Sequence, residues 1–293
     1  MNLLAVVVNW NGGEDTPAAL ASLAGVETIC VDNGSTDGSD RVVEERFPEV
    51  EVLRTGENLG FAGGANHGIR RALERRADWV LLLNNDAVAE PGLVAALERA
   101  ADTRRDAGLL ACKVLFDDGG TVQYAGARVR SWLGYSGRET GYGGPDGFHE
   151  LKDVDRADGA AMAVSRAAID AVGLLDEQLF AYVEDVEWSL RIRRAGFAVV
   201  LVPDAVVRHK GSASTGGRAS STVSLYYDTR NTIVAFERHD RLPRGARALR
   251  RGVIVGAHLV QAATYESRVD AARAVLAGWR DARAGRLGQR SSR

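Results

Sequence analysis

An α/β fold built on a mostly parallel sheet, with helices on both faces, is predicted by three observations. Between Leu3 and Arg104 short apolar runs alternate four times with helix-length segments, and their short connections imply parallel strands joined by right-handed crossovers. The run Trp79 to Leu83 is apolar and stops at Asn84-Asn85-Asp86, as expected of a strand buried on both faces and polar only at its carboxyl end. Polar clusters also close two other strands, at Asn9-Trp10-Asn11 and Asp32-Asn33. One such turn is ordinary, because Asn and Asp hydrogen-bond their own backbone. Three at one sheet edge point to a ligand cleft outside the strand ends.

Leu3 to Asn9 reads as a buried strand, and Trp10-Asn11-Gly12-Gly13 as the loop to a helix from about Pro17 to Leu23. Thr28 to Val31 is a second strand, followed by a polar turn in which Asp37 or Ser39 can cap a helix reaching about Phe47. Val50 to Arg54 is a third strand, and the segment from Asn58 to Asn66 opens a helix through about Arg75. After the fourth strand, Pro91 starts a helix that ends near Arg104.

The regularity then changes. Leu109 to Phe116 and Thr121 to Val129 read as a hairpin closed by Asp-Asp-Gly-Gly. Ser131 to Glu150, rich in glycine and without period, reads as a mobile surface loop. Asp158 to Val164 is a short strand of small side chains. A helix around Glu184-Asp185-Val186-Glu187-Trp188 carries acids in its first turn and arginines in its last, which suits the helix dipole, and Gly196 stops it. Phe197 to Val202 is a strand ended by Pro203, and His209 follows a further apolar stretch. Ser212 to Ser221 suits a lid or a linker, and Tyr226 to about Arg238 is helical.

The 293 residues suffice for one large domain, or one domain plus an appendage, with a proper core. Cys30 and Cys112 lie in apolar strand-like runs, so they are expected as buried thiols, which fits a reducing cytoplasm. The apolar start is too short for a signal peptide, and no stretch reaches transmembrane length. From Arg241 onward, 12 arginines face three acids, a balance of +9 in a chain whose net charge is −2. There Arg244, Arg247 and Arg251 fall at helical spacing beside the apolar run Val253 to Val260. Such a helix suits either a solvated arginine face or peripheral contact with an anionic membrane, at the inner face of the plasma membrane.

Taken together, the ordered motifs resemble glycosyltransferase family 2, in its rhamnosyltransferase-like branch. They are Val6-Val7-Val8-Asn9-Trp10-Asn11-Gly12, Val31-Asp32-Asn33-Gly34-Ser35-Thr36-Asp37, Asn58-Leu59-Gly60-Phe61-Ala62-Gly63-Gly64-Ala65-Asn66, Leu82-Leu83-Asn84-Asn85-Asp86, Glu184-Asp185-Val186-Glu187-Trp188, His209 and Tyr226-Tyr227-Asp228-Thr229-Arg230-Asn231. The resemblance covers most of residues 1–236. It implies a GT-A, Rossmann-like fold with C-terminal helices: residues 1–240 as the glycosyltransferase domain and 241–293 as an Arg-rich helical extension. Within the domain, residues 1–104 form the nucleotide-sugar half and 105–240 the acceptor half.

The resemblance further implies an inverting transfer from a nucleoside diphosphate sugar, dTDP- or UDP-linked, to a saccharide or lipid-linked acceptor in cell-surface polysaccharide synthesis. Asp185 takes the place of the catalytic base, with Glu184 beside it. Asp32 is expected at the nucleotide base, with Asn9, Asn11, Asn58, Gly64, Asn66 and Asn85 around the donor and Arg230 on its diphosphate. Asp86, with His209, is expected to hold a divalent metal, Mn²⁺ or Mg²⁺. Asn84 departs from the commoner Asp-x-Asp pattern, leaving Asp86 as the one carboxylate of that motif. A nucleotidyltransferase and a non-catalytic nucleotide-sugar-binding homologue are the alternatives; a dinucleotide-binding oxidoreductase ranks lower, since no Gly-x-Gly-x-x-Gly follows the first strand. Nucleic acid is not an expected partner, and the helical tail could form a homodimer interface.

Overall fold

The computed structural model describes residues 1–130, 139–210 and 222–290. Its first half alternates as the hydrophobic pattern requires: β1 (Leu3–Asn9), α1 (Asp15–Ser22), β2 (Thr28–Asp32), α2 (Ser39–Arg46), β3 (Glu51–Arg54), α3 (Gly60–Glu74), β4 (Trp79–Asn84), β5 (Ala87–Ala89) and α4 (Leu93–Thr103). There follow β6 (Ala107–Phe116), β7 (Val122–Tyr124), β8 (Lys152–Asp153), β9 (Ala161–Ser165), α5 (Arg166–Val172), α6 (Glu184–Arg194) and β10 (Ala198–His209). Three helices close the chain, α7 (Thr222–His239), α8 (Arg244–Ala262) and α9 (Arg268–Ala284).

The strands form one sheet in the order β3-β2-β1-β4-β9-β6-β10-β5, with β7 on β6 and β8 on β10. From β3 to β4 it is parallel, as the crossovers demand. Beyond β4 it becomes mixed. β9 runs antiparallel between β4 and β6 and bonds to both, pairing Leu83 with Ala161 and Leu110 with Ala163. The core follows the sheet, with Leu4, Val7, Leu81, Leu83, Leu110 and Val200 fully enclosed.

β10 does not end before Pro203. It continues to His209 through a register shift between Val202 and Val206, and an irregularity of this kind tolerates a residue that cannot donate to the ladder. The extension matters because its last residues pair with β5, setting His209 opposite Ala87 and so beside Asp86. The expected hairpin forms as β6 and β7, with β7 shorter than its pattern suggested. In the glycine-rich stretch, residues 139–150 are fixed against the hairpin through the bridges Ala127–Glu139 and Thr121–Pro145. Residues 131–138 and the Ser212–Ser221 segment lie outside the described residues.

In the tail, α8 and α9 pack on α7, and Gly278 of α9 meets the Tyr226 carbonyl so closely that an added Cβ would lie 2.5 Å from it. Arg251 shares one side of α8 with Arg244 and Arg247 and turns inward to Glu237, at 2.5 Å, while Arg250 is buried against Asp240 and the Phe236 carbonyl. The outer face of α8 instead shows Leu249, Val253 and Val260 to solvent. Among the described residues no helix is long and apolar enough to cross a membrane.

Candidate active site

Asn9, at the end of β1, knits three strand ends into one edge. Its side chain is fully buried; Nδ2 donates to Asp32 Oδ1 (3.1 Å) and Ser39 Oγ (2.9 Å), and Oδ1 accepts from Thr16 Oγ1 (2.7 Å) and Gly12 N (3.2 Å). Thr16 in turn takes a bond from Asn85 Nδ2 at 3.3 Å, which brings in the end of β4. A Cβ on Gly12 would collide with all three of these side chains. Asp32 Oδ2 also accepts from Ser35 N at 3.3 Å, so its carboxylate is held in one orientation at the cleft edge. Asn11 is exposed and braces the same loop through Thr36 N, at 2.8 Å.

Asn58 accepts from Gly60 N (2.8 Å) and from Asn33 Nδ2 at the entry to α3. Gly64 lets that helix settle onto β1, since a Cβ there would sit 2.9 Å from Val8 Cγ1. Asn66 is placed differently from its expected role at the donor. Buried on α3, it uses both ends of its amide on Leu175, with a further bond to Glu177 Oε1 at 2.9 Å, and so ties α3 to the segment before α6.

Asp86 and His209 meet at the other side of the edge. His209 Nε2 lies 3.0 Å from Asp86 Oδ1, and Nδ1 lies 3.0 Å from Gln123 Oε1 on β7. Nδ1–H donates to the Gln123 oxygen, and Nε2 faces the carboxylate, as an N–H donor when the ring is protonated and with its lone pair when a cation is bound. A neutral imidazole and a carboxylate this close suit one cation bound by both, and a hydrogen bond to the remote ring nitrogen is the usual support of a metal-binding histidine. No third His, Cys, Asp or Glu joins them among the described residues, so further ligands would come from a bound diphosphate and water. Gln123 was not legible as a site residue; only its polarity within a strand hinted at it.

Asp185 sits in the first turn of α6, its Oδ2 accepting from Gly159 N (3.0 Å) and Oδ1 from Val186 N (2.7 Å). Burial pushes its carboxyl above the ordinary range against the pull of Arg156, with Asp158 adding to the rise. Glu184 is more deeply enclosed. Its Oε2 has no hydrogen-bond partner among the described residues, and burial together with the charges of Asp185 and Asp228 raises its carboxyl well above the usual value. Glu187, by contrast, is taken up by Arg191 and His239.

The turn before α6 is strained: Phe180, Tyr182 and Val183 all hold positive φ, of 67°, 69° and 71°. Asn231 Nδ2 reaches the carbonyls of Leu179, Ala181 and Tyr182, and Arg230 Nη2 donates to Leu179 O at 2.9 Å. Arg230 was expected on the diphosphate. Its guanidinium is buried, bonded to carbonyls of Leu179 and Gly288 and to Asn231, and packed 4.8 Å from the Tyr227 ring centre. The motif on α7 therefore clamps the loop that presents Glu184 and Asp185.

The two sides of the site meet at the residues just before β9. Asn84 N donates to Ala160 O (2.9 Å), one residue beyond the Gly159 N–H that holds Asp185, so the acidic turn after β4 and the carboxylate of α6 flank one short segment of small residues.

Comparison with known proteins matches this architecture. The family model "Glycosyl transferase family 2" matches residues 5–171. N-acetylglucosaminyl-diphospho-decaprenol L-rhamnosyltransferase of Mycobacterium tuberculosis is 31% identical over 291 residues, covering 88% of this chain and 94% of that protein. The dTDP-rhamnosyl transferase RfbF of Shigella flexneri is 24% identical over 248 residues, covering 81% of each. Among solved structures, GalNAc-T7 with UDP, GalNAc and Mn²⁺ superposes with a TM-score of 0.61 at 17% identity, covering 86% of this chain and 54% of that one. The mannosyltransferase PcManGT of Pyrobaculum calidifontis, with GDP-Man and Mn²⁺, gives 0.58 at 18% identity over 97% of this chain and 75% of that one. The fold is GT-A, and the chain belongs to glycosyltransferase family 2.

Proposed function

We propose that this glycosyltransferase transfers rhamnose, with inversion, from dTDP-L-rhamnose to a hydroxyl of a lipid-diphosphate-linked saccharide. The observation that carries the reading is that the turn bearing Asp86, which meets His209, and the carboxylate of Asp185 are held by neighbouring residues, Ala160 and Gly159, just before β9. The donor half, residues 1–104, takes the nucleotide: Asp32 suits the imide N–H of a thymine or uracil, and Asn11, Asn58, Asn85 and the backbone around Gly64 line its path. Asp86 and His209 would hold Mn²⁺ or Mg²⁺, which would offset the charge growing on the departing diphosphate. Within residues 105–240, Asp185 accepts the proton of the acceptor hydroxyl as its oxygen bonds to the anomeric carbon and the bond to the diphosphate breaks. One displacement inverts that carbon. Burial and the charges of Asp185 and Asp228 favour the protonated form of Glu184, which suits Asp185 as the carboxylate that takes up the acceptor proton.

The rhamnosyl donor and the lipid-linked acceptor rest on what the M. tuberculosis and S. flexneri relatives are named for. A lipid-linked acceptor would be met at the inner face of the membrane, and the 241–293 extension suits that contact through Leu249, Val253 and Val260, exposed along one face of α8. Self-association of the same face into a homodimer is the competing use. The donor reading is tested by thermal stabilisation with dTDP, UDP and GDP, each with and without Mn²⁺. The largest shift is expected for dTDP with Mn²⁺, lost in Asp86→Ala; stabilisation by GDP alone would overturn the donor assignment.

A further inference from the structure

Arg156 is buried, with 4% of its surface exposed, in the segment that runs from β8 to β9. Such a cation needs anions around it. Its Nη2 donates to Glu139 Oε1 at 2.9 Å, and its Nη1 lies 3.9 Å from Asp185 Oδ2 and donates to the Ala157 carbonyl. The guanidinium is fixed from several directions. Tyr124 on β7 bonds through its hydroxyl to the Arg156 carbonyl and places its ring 5.7 Å from the guanidinium, and Ala157 N is held by Ser189 Oγ of α6, which itself donates to the Asp185 carbonyl. Glu139 is fixed by its backbone bridge to Ala127. Only 16% of each carboxylate side chain, Glu139 and Asp185, remains exposed, so the three charges interact with little water between them.

We propose that Arg156 is a positioning residue that sets the proton affinity of Asp185, and that Glu139 sets how much of the Arg156 charge Asp185 feels. This rests on the reading of Asp185 as the base. Other groups facing Asp185 are Asp158, from the segment of Arg156, and Glu184 on α6, itself faced by Asp228 of α7. Burial and the acids drive the Asp185 proton affinity up, and Arg156 is the opposing charge. Withdrawing Arg156 should therefore raise it. Withdrawing the charge of Glu139 should lower it, because Arg156 is then left to Asp185. A purely structural role for the pair would weaken folding in both cases without this opposition of sign.

The test is a set of thermal melts against pH, without substrate. The melting-temperature difference between a protein and its Asp185→Asn counterpart has an inflection where Asp185 takes up its proton in the folded state. For Arg156→Met this inflection is expected to move up by about 1 pH unit, the lower end of the effect of a neighbouring opposite charge. For Glu139→Gln, whose amide can still accept from Arg156, it is expected to move down. Inflections that stay in place, or move in the same direction, overturn the proposal. Should Arg156→Met fail to fold, Glu139→Gln decides alone, an unmoved or raised inflection overturning it. The base reading is judged separately, by transfer from dTDP-L-rhamnose to a synthetic N-acetylglucosaminyl-diphospho-lipid. An active Asp185→Asn enzyme would remove the base whatever the melts show, whereas an inactive one with unmoved inflections would remove the Arg156 proposal alone.

Discussion

Replacing Glu184 with Gln should stabilise the protein increasingly as pH rises. In the unfolded chain this carboxyl ionises near 4.5, whereas in the folded chain burial, then the charges of Asp185 and Asp228, hold it protonated to higher pH. Between those two values the folded state binds the extra proton, so wild-type stability falls as pH rises. The loss is at most about 1.4 kcal/mol for each pH unit in the window. With an unfolding entropy of about 0.6 kcal/mol/K for a chain of 293 residues, that is about 2 °C of melting temperature per pH unit. Gln carries no charge at any pH and lacks this loss; any misfit of its amide adds a constant. The assay is a series of melts of wild type and Glu184→Gln from pH 4.5 to 8, and the difference in favour of the variant should grow with pH before levelling. A difference that is flat, or that falls with pH, would mean that Glu184 is ionised in the folded protein, and its role as the neutral neighbour of Asp185 would go.

Further outcomes follow from the same geometry. Gln123→Leu removes the acceptor that orients the His209 ring and should weaken Mn²⁺ binding in the presence of dTDP by about 10- to 100-fold in calorimetric titration, with little change in fold. Cys30 and Cys112 are enclosed, and burial pushes each thiol up to about 12, so both should resist a thiol reagent at pH 8 until the protein is denatured; fast labelling of the native protein would contradict that packing. Leu249→Glu with Val260→Glu on the outer face of α8 should abolish flotation of the protein with anionic vesicles. An unaltered flotation, or a loss of dimer in place of vesicle binding, would assign that face elsewhere.

The parallel half of the fold was legible because each of its strands is a compact apolar run with its own polar terminus, and short crossovers leave little choice of handedness. β9 was visible as a strand but not as an antiparallel insertion between β4 and β6, since direction is decided by partners far away in the chain. The same limit hid the end of β10: Pro203 reads locally as a stop, yet the register shift accommodates it and the strand continues to carry His209 to Asp86. Side-chain placements were legible where type and position coincide, as at Asp32 at the end of β2 and Asp86 just after β4. They were not where burial decides the role. An arginine in a polar helical motif suggests an anion, but Arg230 is enclosed and binds carbonyls; Arg156, in an unremarked loop, is the guanidinium that faces Asp185.

The central claim, that Asp185 removes the acceptor proton, is tested most directly by the rate of rhamnosyl transfer in Asp185→Asn, with the affinity for dTDP in the presence of Mn²⁺ measured on the same preparation. The amide can still accept from Gly159 N but cannot take up the proton, so turnover should fall by about 10²- to 10⁴-fold at an unchanged dTDP affinity. Transfer at the wild-type rate would contradict the account.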